Sequence, residues 1–227
     1  MSAIDPPDAT AARTLPIPQR VLLLPGIWMP AWSMATLGKR LTMQGYSVRC
    51  HGYPGVQGGP EVSLHALRPW LREADAVVCH SLGGLMTLEA LRADPDLPIR
   101  RVVCLGSPLQ GSGFARLLGR HRRLRWAVGR SGDLLRAGCV LPWPGRAQVG
   151  MVAGSLAFGL GPLLGALEDP GDGTVALAET RWPALSDHRV VHASHSGMLL
   201  SREVAFEVGH FLRHGQFRPD ESRHRQA

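Results

Sequence analysis

The sequence predicts an α/β protein: a mostly parallel sheet of about six strands with helices on both faces. Three observations carry that expectation. Short apolar runs of strand length alternate with longer helix-favouring segments, as in successive βαβ units. Gly and Pro punctuate nearly every change between them. One stretch, Asp75 to Leu91, passes from an apolar run straight into a helical pattern through His80-Ser81-Leu82-Gly83-Gly84, with no linker between.

Taken in order, residues 1–18 hold Pro6, Pro7, Pro16 and Pro18 and read as a flexible lead-in. The domain itself is expected over 19–215. Val21 to Leu24 is a buried strand ended by Pro25-Gly26, and a helix follows from about Trp32 to Gln44, closed by Gly45. Tyr46 to Cys50 forms the second strand. The Gly- and Pro-rich residues 52–60 form a long loop, and a helix from about Glu61 to Arg72 leads to the third strand, Ala76 to Cys79. The helix after Ser81 stops at Asp94-Pro95, because the residue before a proline resists helical geometry. Arg101 to Leu105 is the fourth strand.

The alternation then breaks. Residues 108–146 read as a small insertion after the fourth strand, a partial cap over the carboxyl edge of the sheet. Within it, five arginines between Arg116 and Arg125 are interleaved with Leu117, Leu118 and Leu124, with Trp126 next to them. Such a helix either greets an anionic membrane surface weakly or is a solvated face whose apolar side packs on the sheet edge. A strand resumes over Val149 to Leu156, followed by a Gly-rich apolar loop over 159–165 and a turn at Asp169 to Gly173. A short helix over Val175 to Glu179, a last strand over Val190 to Ala193 and a closing helix over Met198 to Arg213 complete the domain. Residues 216–227 form a tail.

Ser81 sits at the strand-to-helix turn. A serine there is exposed in a strained conformation, and the start of the following helix offers free N–H groups to a developing oxyanion. The pattern is Gly-x-Ser-x-Gly with Cys79 in place of the first glycine. A plainer reading is that Ser81 only caps the helix, since Ser favours that position.

A serine hydroxyl becomes a nucleophile when an imidazole takes its proton and a carboxylate fixes the imidazole tautomer. In an open α/β sheet these groups arrive on loops beyond later strands. Asp172 and His195 occupy such loops, with Glu168, Asp169 and Asp187 as rival acids and His188 and His192 as rival bases. His192 falls inside the expected strand, and His80 is disfavoured because neighbouring strand residues point to opposite sides. His188, His192 and His195 could hold a metal only on a helix, whereas that segment looks extended.

Composition narrows the class. The formal charge of +7 is almost all arginine, since Lys39 is the single lysine, and it is read as surface bias without a nucleic-acid partner. Cys50, Cys79, Cys104 and Cys139 show neither metal-ligand spacing nor a CxxC pair, so no disulfide is expected. The start lacks a basic segment followed by an apolar core, and no apolar run reaches the ~20 residues of a membrane span. A cytoplasmic protein is expected. Gly106 to Gly111 has the gap of a phosphate loop, but Ser112 stands where its lysine is needed, and Gly159 and Gly161 lack the third glycine of a dinucleotide loop.

The chain resembles the α/β-hydrolases, of the compact lipase and esterase kind, from about Val21 to the last helix. The resemblance rests on Leu23-Leu24-Pro25-Gly26-Ile27-Trp28, Cys79-His80-Ser81-Leu82-Gly83-Gly84, Leu105-Gly106-Ser107-Pro108-Leu109-Gln110-Gly111-Ser112, Gly171-Asp172-Gly173-Thr174-Val175 and Ser194-His195-Ser196-Gly197-Met198-Leu199. It implies the α/β-hydrolase fold and hydrolysis of carboxylic esters through an acyl-serine, with no metal or cofactor. Ser81 would be the nucleophile, His195 the base and Asp172 its orienter, with the N–H groups of Ile27 and Leu82 as oxyanion hole. Many relatives carry His-Gly where this chain has Pro25-Gly26. The same groups would serve a thioesterase or an acyltransferase, and a non-catalytic binding protein on this fold is the alternative from another class. The expected partner is a small-molecule or lipid ester.

Overall fold

The computed structural model describes residues 17–120, 128–139, 143, 145–158 and 170–219. Six strands form one sheet: β1 (Arg20–Leu24), β2 (Ser47–Cys50), β3 (Ala76–His80), β4 (Arg101–Leu105), β5 (Gln148–Gly154) and β6 (Asp187–Val191). Their spatial order is β2-β1-β3-β4-β5-β6, and each neighbouring pair runs parallel. The strand order reverses between β1 and β3. At such a switch point neighbouring loops leave in opposite directions and open a crevice at the carboxyl ends of the strands.

The helices are α1 (Ala35–Met43), α2 (Gly59–Arg72), α3 (Leu82–Ala93), α4 (Gly113–Arg120), α5 (Gly132–Ala137), α6 (Leu177–Thr180) and α7 (Arg202–His214). The strands read as apolar runs because both faces are covered, and alternate residues serve the two faces. Leu22, Leu24, Val77, Cys79, Val102 and Cys104 pack with Leu67, Leu71 and Leu85 of α2 and α3. Val21, Leu23, Ala76, Val78, Val103 and Leu105 pack with Leu37, Leu41, Val208 and Phe211 of α1 and α7. Helix α3 is buried on nearly all sides, which explains its apolar composition.

Several boundaries differ from the sequence expectation. The first helix opens with a 3-10 turn over Ala31–Met34, and the closing segment divides into a 3-10 turn, Gly197–Leu200, and α7. The division falls at Ser201, whose hydroxyl caps α7 by accepting from the Val204 N–H at 3.2 Å. The short helix after Asp172 starts at Leu177, because Ala176 is held in a bridge to Gly171. Strand β6 ends at Val191, so His192 lies beyond it and is exposed, which corrects its expected place inside a strand. Parts of the expected insertion, lead-in, tail and 159–165 loop lie outside the described residues.

No helix among the described residues is long and apolar enough to cross a membrane. Beneath β5, the fully buried Phe211 ring packs against Phe217 at 4.9 Å between centroids. A Cβ added at Gly150 would come within 2.7 Å of that ring's Cδ2, so the glycine is what lets α7 settle on the sheet. Phe211→Ala is expected to cost about 3–5 kcal/mol, read as a lower urea midpoint at unchanged slope.

Candidate active site

Ser81 follows β3 and stands at the N-cap position of α3, with φ 52°. A non-glycine residue in that region is strained and persists only when its surroundings fix it. Here the Ser81 N–H donates to Leu105 O at 2.9 Å and Ser81 O accepts from Gly84 N at 3.1 Å. The start of α3 must also approach β1. A Cβ at Gly83 would lie 2.8 Å from Pro25 O and 2.9 Å from Leu24 O, so only glycine fits. The Ser81 side chain makes no capping bond to α3, which sets aside the reading of Ser81 as a mere helix cap. Cys79 fits where the elbow pattern has glycine, its Sγ lying 3.7 Å from Cys104 Sγ on the neighbouring strand.

Asp172 lies between β5 and β6 in the chain and is 1% exposed. Its Oδ1 accepts from the Thr174 and Val175 N–H groups at 3.0 and 2.8 Å, an arrangement that fixes the carboxylate plane. Its Oδ2 meets His195 Nδ1 at 2.7 Å, and the His195 N–H donates to Asp172 O at 2.8 Å. Two hydrogen bonds therefore tie the loop after β6 to the loop after β5. Gly106, φ 55°, closes beneath this pair: a Cβ there would sit 2.8 Å from Asp172 Oδ2 and 3.1 Å from His195 Nδ1.

The rivals go elsewhere. Asp187 accepts from Phe217 N at 2.7 Å, His188 Nε2 meets Thr180 Oγ1 at 2.9 Å, and His192 is exposed. Glu168 and Asp169 lie outside the described residues. The three histidines 188, 192 and 195 thus serve three separate places.

Ser81 and His195 line one hollow of about 480 Å3. Ile27, Trp28 and Met29 from the loop after β1, Phe114, Ala115 and Leu118 from α4, Leu135 from α5, and Val175 make most of its wall apolar. Leu82 is the first residue of α3, where an N–H has no partner within the helix. Ile27 is presented from across the β1–β3 switch point. Its loop is pinned by Tyr53 Oη donating to Pro25 O at 3.0 Å and by Met29 N donating to Gly26 O at 3.2 Å. Trp28 in this loop has φ 60°, and among the described residues only Trp28 and Ser81 combine a side chain with positive φ. Both line the same hollow.

His80 was underrated by the sequence. It reaches the hollow despite strand alternation, and its ring lies against that of His195, 4.4 Å between centroids. Its Nε2 meets the His195 carbonyl oxygen at 3.0 Å, so Nε2 carries the hydrogen and donates. Burial, then the neighbouring His195, pushes His80 well below the ordinary imidazole range, which keeps it neutral. His80 is thus a support beneath His195, already committed to that carbonyl. The only sequence signal was its place beside Ser81.

Neither any protein-family model nor any curated protein matches the sequence. Solved structures do match the fold. The mature Bacillus licheniformis lipase BlEst2 is 16% identical, with 88% of this chain and 93% of that chain covered at a TM-score of 0.67. In its propeptide form the lipase covers 92% of this chain, which spans 53% of that longer one, at 17% identity and a TM-score of 0.72. The type II thioesterase BorB, from the borrelidin biosynthetic cluster, is 18% identical, covers 88% and 94%, and has a TM-score of 0.59. The chain therefore has the α/β-hydrolase fold.

A buried neutral histidine makes stability depend on pH with a definite sign. Between its lowered folded value and the ordinary 6.5, the unfolded chain binds a proton that the native His80 does not. Its share of stability is complete above pH 6.5 and is lost as pH falls toward the folded value. His80→Gln should remove up to about 1.4 kcal/mol per pH unit from the slope of unfolding free energy between pH 6.5 and 5. Urea titrations at several pH values measure it, and an unchanged slope would contradict a buried neutral His80.

Proposed function

We propose that this α/β-hydrolase-fold protein is a serine hydrolase that cleaves carboxylic esters through an acyl-serine intermediate. The observation that carries the reading is the Asp172–His195 hydrogen bond of 2.7 Å placed at the hollow that the strained Ser81 lines. An Nδ1–H donated to Asp172 leaves His195 Nε2 with a lone pair, which is the tautomer a general base needs. Ester-hydrolysing proteins among the structural neighbours support the class of reaction, including a methylesterase from Arabidopsis at 13% identity and a TM-score of 0.58.

In this mechanism His195 Nε2 takes the Ser81 hydroxyl proton while Oγ bonds to the ester carbonyl carbon. The carbonyl electron pair moves to oxygen, where the N–H groups of Leu82 and Ile27 receive it. The tetrahedral adduct collapses, the C–O bond to the alcohol breaks, and the alkoxide leaves with the proton from His195. Water repeats the sequence on the acyl-serine and frees the acid. The buried Asp172 carboxylate holds His195 in place and stabilises the imidazolium formed twice per cycle. Apolar walls favour an apolar acyl group, and about 480 Å3 accommodates one of modest size. Thioester cleavage and transfer to an alcohol would use the same groups.

Ser81→Ala should fold normally, lose labelling by a fluorophosphonate probe and lower kcat on p-nitrophenyl butyrate by about 10³ or more. Full activity in the pure variant would remove Ser81 from the chemistry. Wild-type protein that neither labels nor turns over esters would favour the binding-protein alternative.

Residues acting as a unit give non-additive losses. Asp172→Asn and His195→Ala should each disable turnover, and the double variant should be little worse than His195→Ala alone. Multiplying losses in steady-state kinetics would mean that Asp172 acts independently of His195.

A further inference from the structure

Glu179 stands in the short helix α6 with its side chain only 11% exposed. A carboxylate so placed needs donors, since burying it without them is costly. Burial pushes the Glu179 carboxyl above its ordinary range, and the Gly113 and Ala176 N–H groups and Arg116 oppose that push. We propose that Glu179 is a positioning residue for the acyl-binding wall: its carboxylate holds the start of α4 to the loop that carries Asp172, and so sets how well longer acyl groups are gripped beside Ser81. The inference rests on the ester-hydrolase reading for its substrate and on the bonds of Glu179 for its geometry.

Those bonds go beyond capping α6. Glu179 Oε2 accepts from the Ala176 N–H at 3.1 Å, the local reach of a third helical residue back to its N-cap. Oε1, by contrast, accepts from the Gly113 N–H, 66 residues earlier in the chain, and lies 3.6 Å from Arg116 Nη2. Gly113 is the first residue of α4, where N–H groups lack partners within the helix and a negative charge is favoured. The backbone adds to the tie, because the Gln110 N–H donates to Glu179 O at 2.9 Å.

Both ends of this bridge belong to the Ser81 hollow. Ala176 follows Val175, which lines the hollow, donates its N–H to Asp172 Oδ1 at 2.8 Å and accepts from the Asp172 N–H at 3.1 Å. Phe114, Ala115 and Leu118 of α4 line the same hollow. On its other side α4 turns Arg116 and Arg120 to a separate arginine-lined hollow of about 1200 Å3, so no core presses the helix from there. Its place therefore depends on its apolar face, its neighbour α5 and the ties at its start. Ser112 Oγ, accepting from the Ala115 N–H at 3.1 Å, caps the helix in its own right. Loss of the Glu179 carboxylate thus leaves α4 capped but less firmly placed. Gln keeps the side-chain volume but offers one acceptor oxygen where the carboxylate uses two, so Gly113 or Ala176 loses its partner.

Steady-state kinetics on p-nitrophenyl acetate, butyrate and hexanoate measure the grip, since an acetyl group reaches little of the wall and a hexanoyl group lies along it. In Glu179→Gln the loss of kcat/KM should grow with acyl length, about fivefold or more greater on the hexanoate than on the acetate, and carried by KM. Arg116→Gln, at a half-exposed side chain, withdraws the charge beside Oε1 and should move the hexanoate-to-acetate ratio the same way by about twofold. It carries the test where Glu179→Gln does not fold. Phe211→Ala separates positioning from stability: it should lower the urea midpoint and leave that ratio as in wild type. An equal loss on all three esters in Glu179→Gln, or in Arg116→Gln where the former does not fold, overturns the proposal, as does a loss in kcat alone or the same grading in Phe211→Ala. Each of these leaves the ester-hydrolase reading intact. Wild type that turns over no ester and takes no fluorophosphonate label strikes the ester-hydrolase reading instead, and the acyl-wall role with it.

Discussion

The hydrogen bond from His195 Nδ1 to Asp172 Oδ2 joins loops that leave two neighbouring parallel strands, β5 and β6. Its geometry depends on nearly everything beneath it. The Asp172 carboxylate is oriented by the Thr174 and Val175 N–H groups, and the His195 backbone is bonded to Asp172 O on one side and to His80 Nε2 on the other. Gly106 leaves the room, since a Cβ there would press on both partners. A parallel sheet is what makes this convergence possible. It delivers every strand's carboxyl end to the same edge, so residues far apart in sequence meet there.

Strain is concentrated at the same edge. Ser81 and Trp28 hold backbone conformations that side chains rarely adopt, and they stand on the loops that flank the β1–β3 switch point. Each such residue costs on the order of 1–3 kcal/mol, which the surrounding packing has to offset. Around Ser81 that packing is the buried helix α3, brought onto the end of β1 by Gly83. Around Trp28 it is the Gly26–Met29 turn and the Tyr53 hydroxyl on Pro25. The two strained positions set the Ser81 side chain and the neighbouring Ile27–Met29 turn along one hollow.

Helices α4 and α5 give the molecule its second character. They are thin elements between an apolar hollow and a cationic one, so their two faces answer different demands. Leu118 and Leu135 are buried toward Ser81, while Arg116 and Arg120 remain exposed. Elsewhere arginines pair with acids, Arg20 with Asp75, and Arg68 and Arg72 together with Asp94. Arg122, Arg123 and Arg125 of the same run lie outside the described residues.

The sequence by itself determined the sheet. Apolar runs of strand length separated by helical segments admit few arrangements other than a parallel sheet covered on both faces, and β4 falls on the residues expected, Arg101–Leu105. It also determined that Ser81 stands at a strand-to-helix turn, because Gly83-Gly84 and the missing linker are local signals. Tertiary structure decided what depends on partners distant in the chain. Which acid faces His195 was open among Asp172, Asp187 and others, since spacing alone does not say which loop bends inward; the Thr174 and Val175 N–H groups made that choice. His192 fell outside its strand because β6 is an edge whose register is set by β5. The role of His80 was invisible, since alternation predicts only the side of a strand, while its contact with His195 arises where β3 ends and a loop 115 residues further along the chain folds over it.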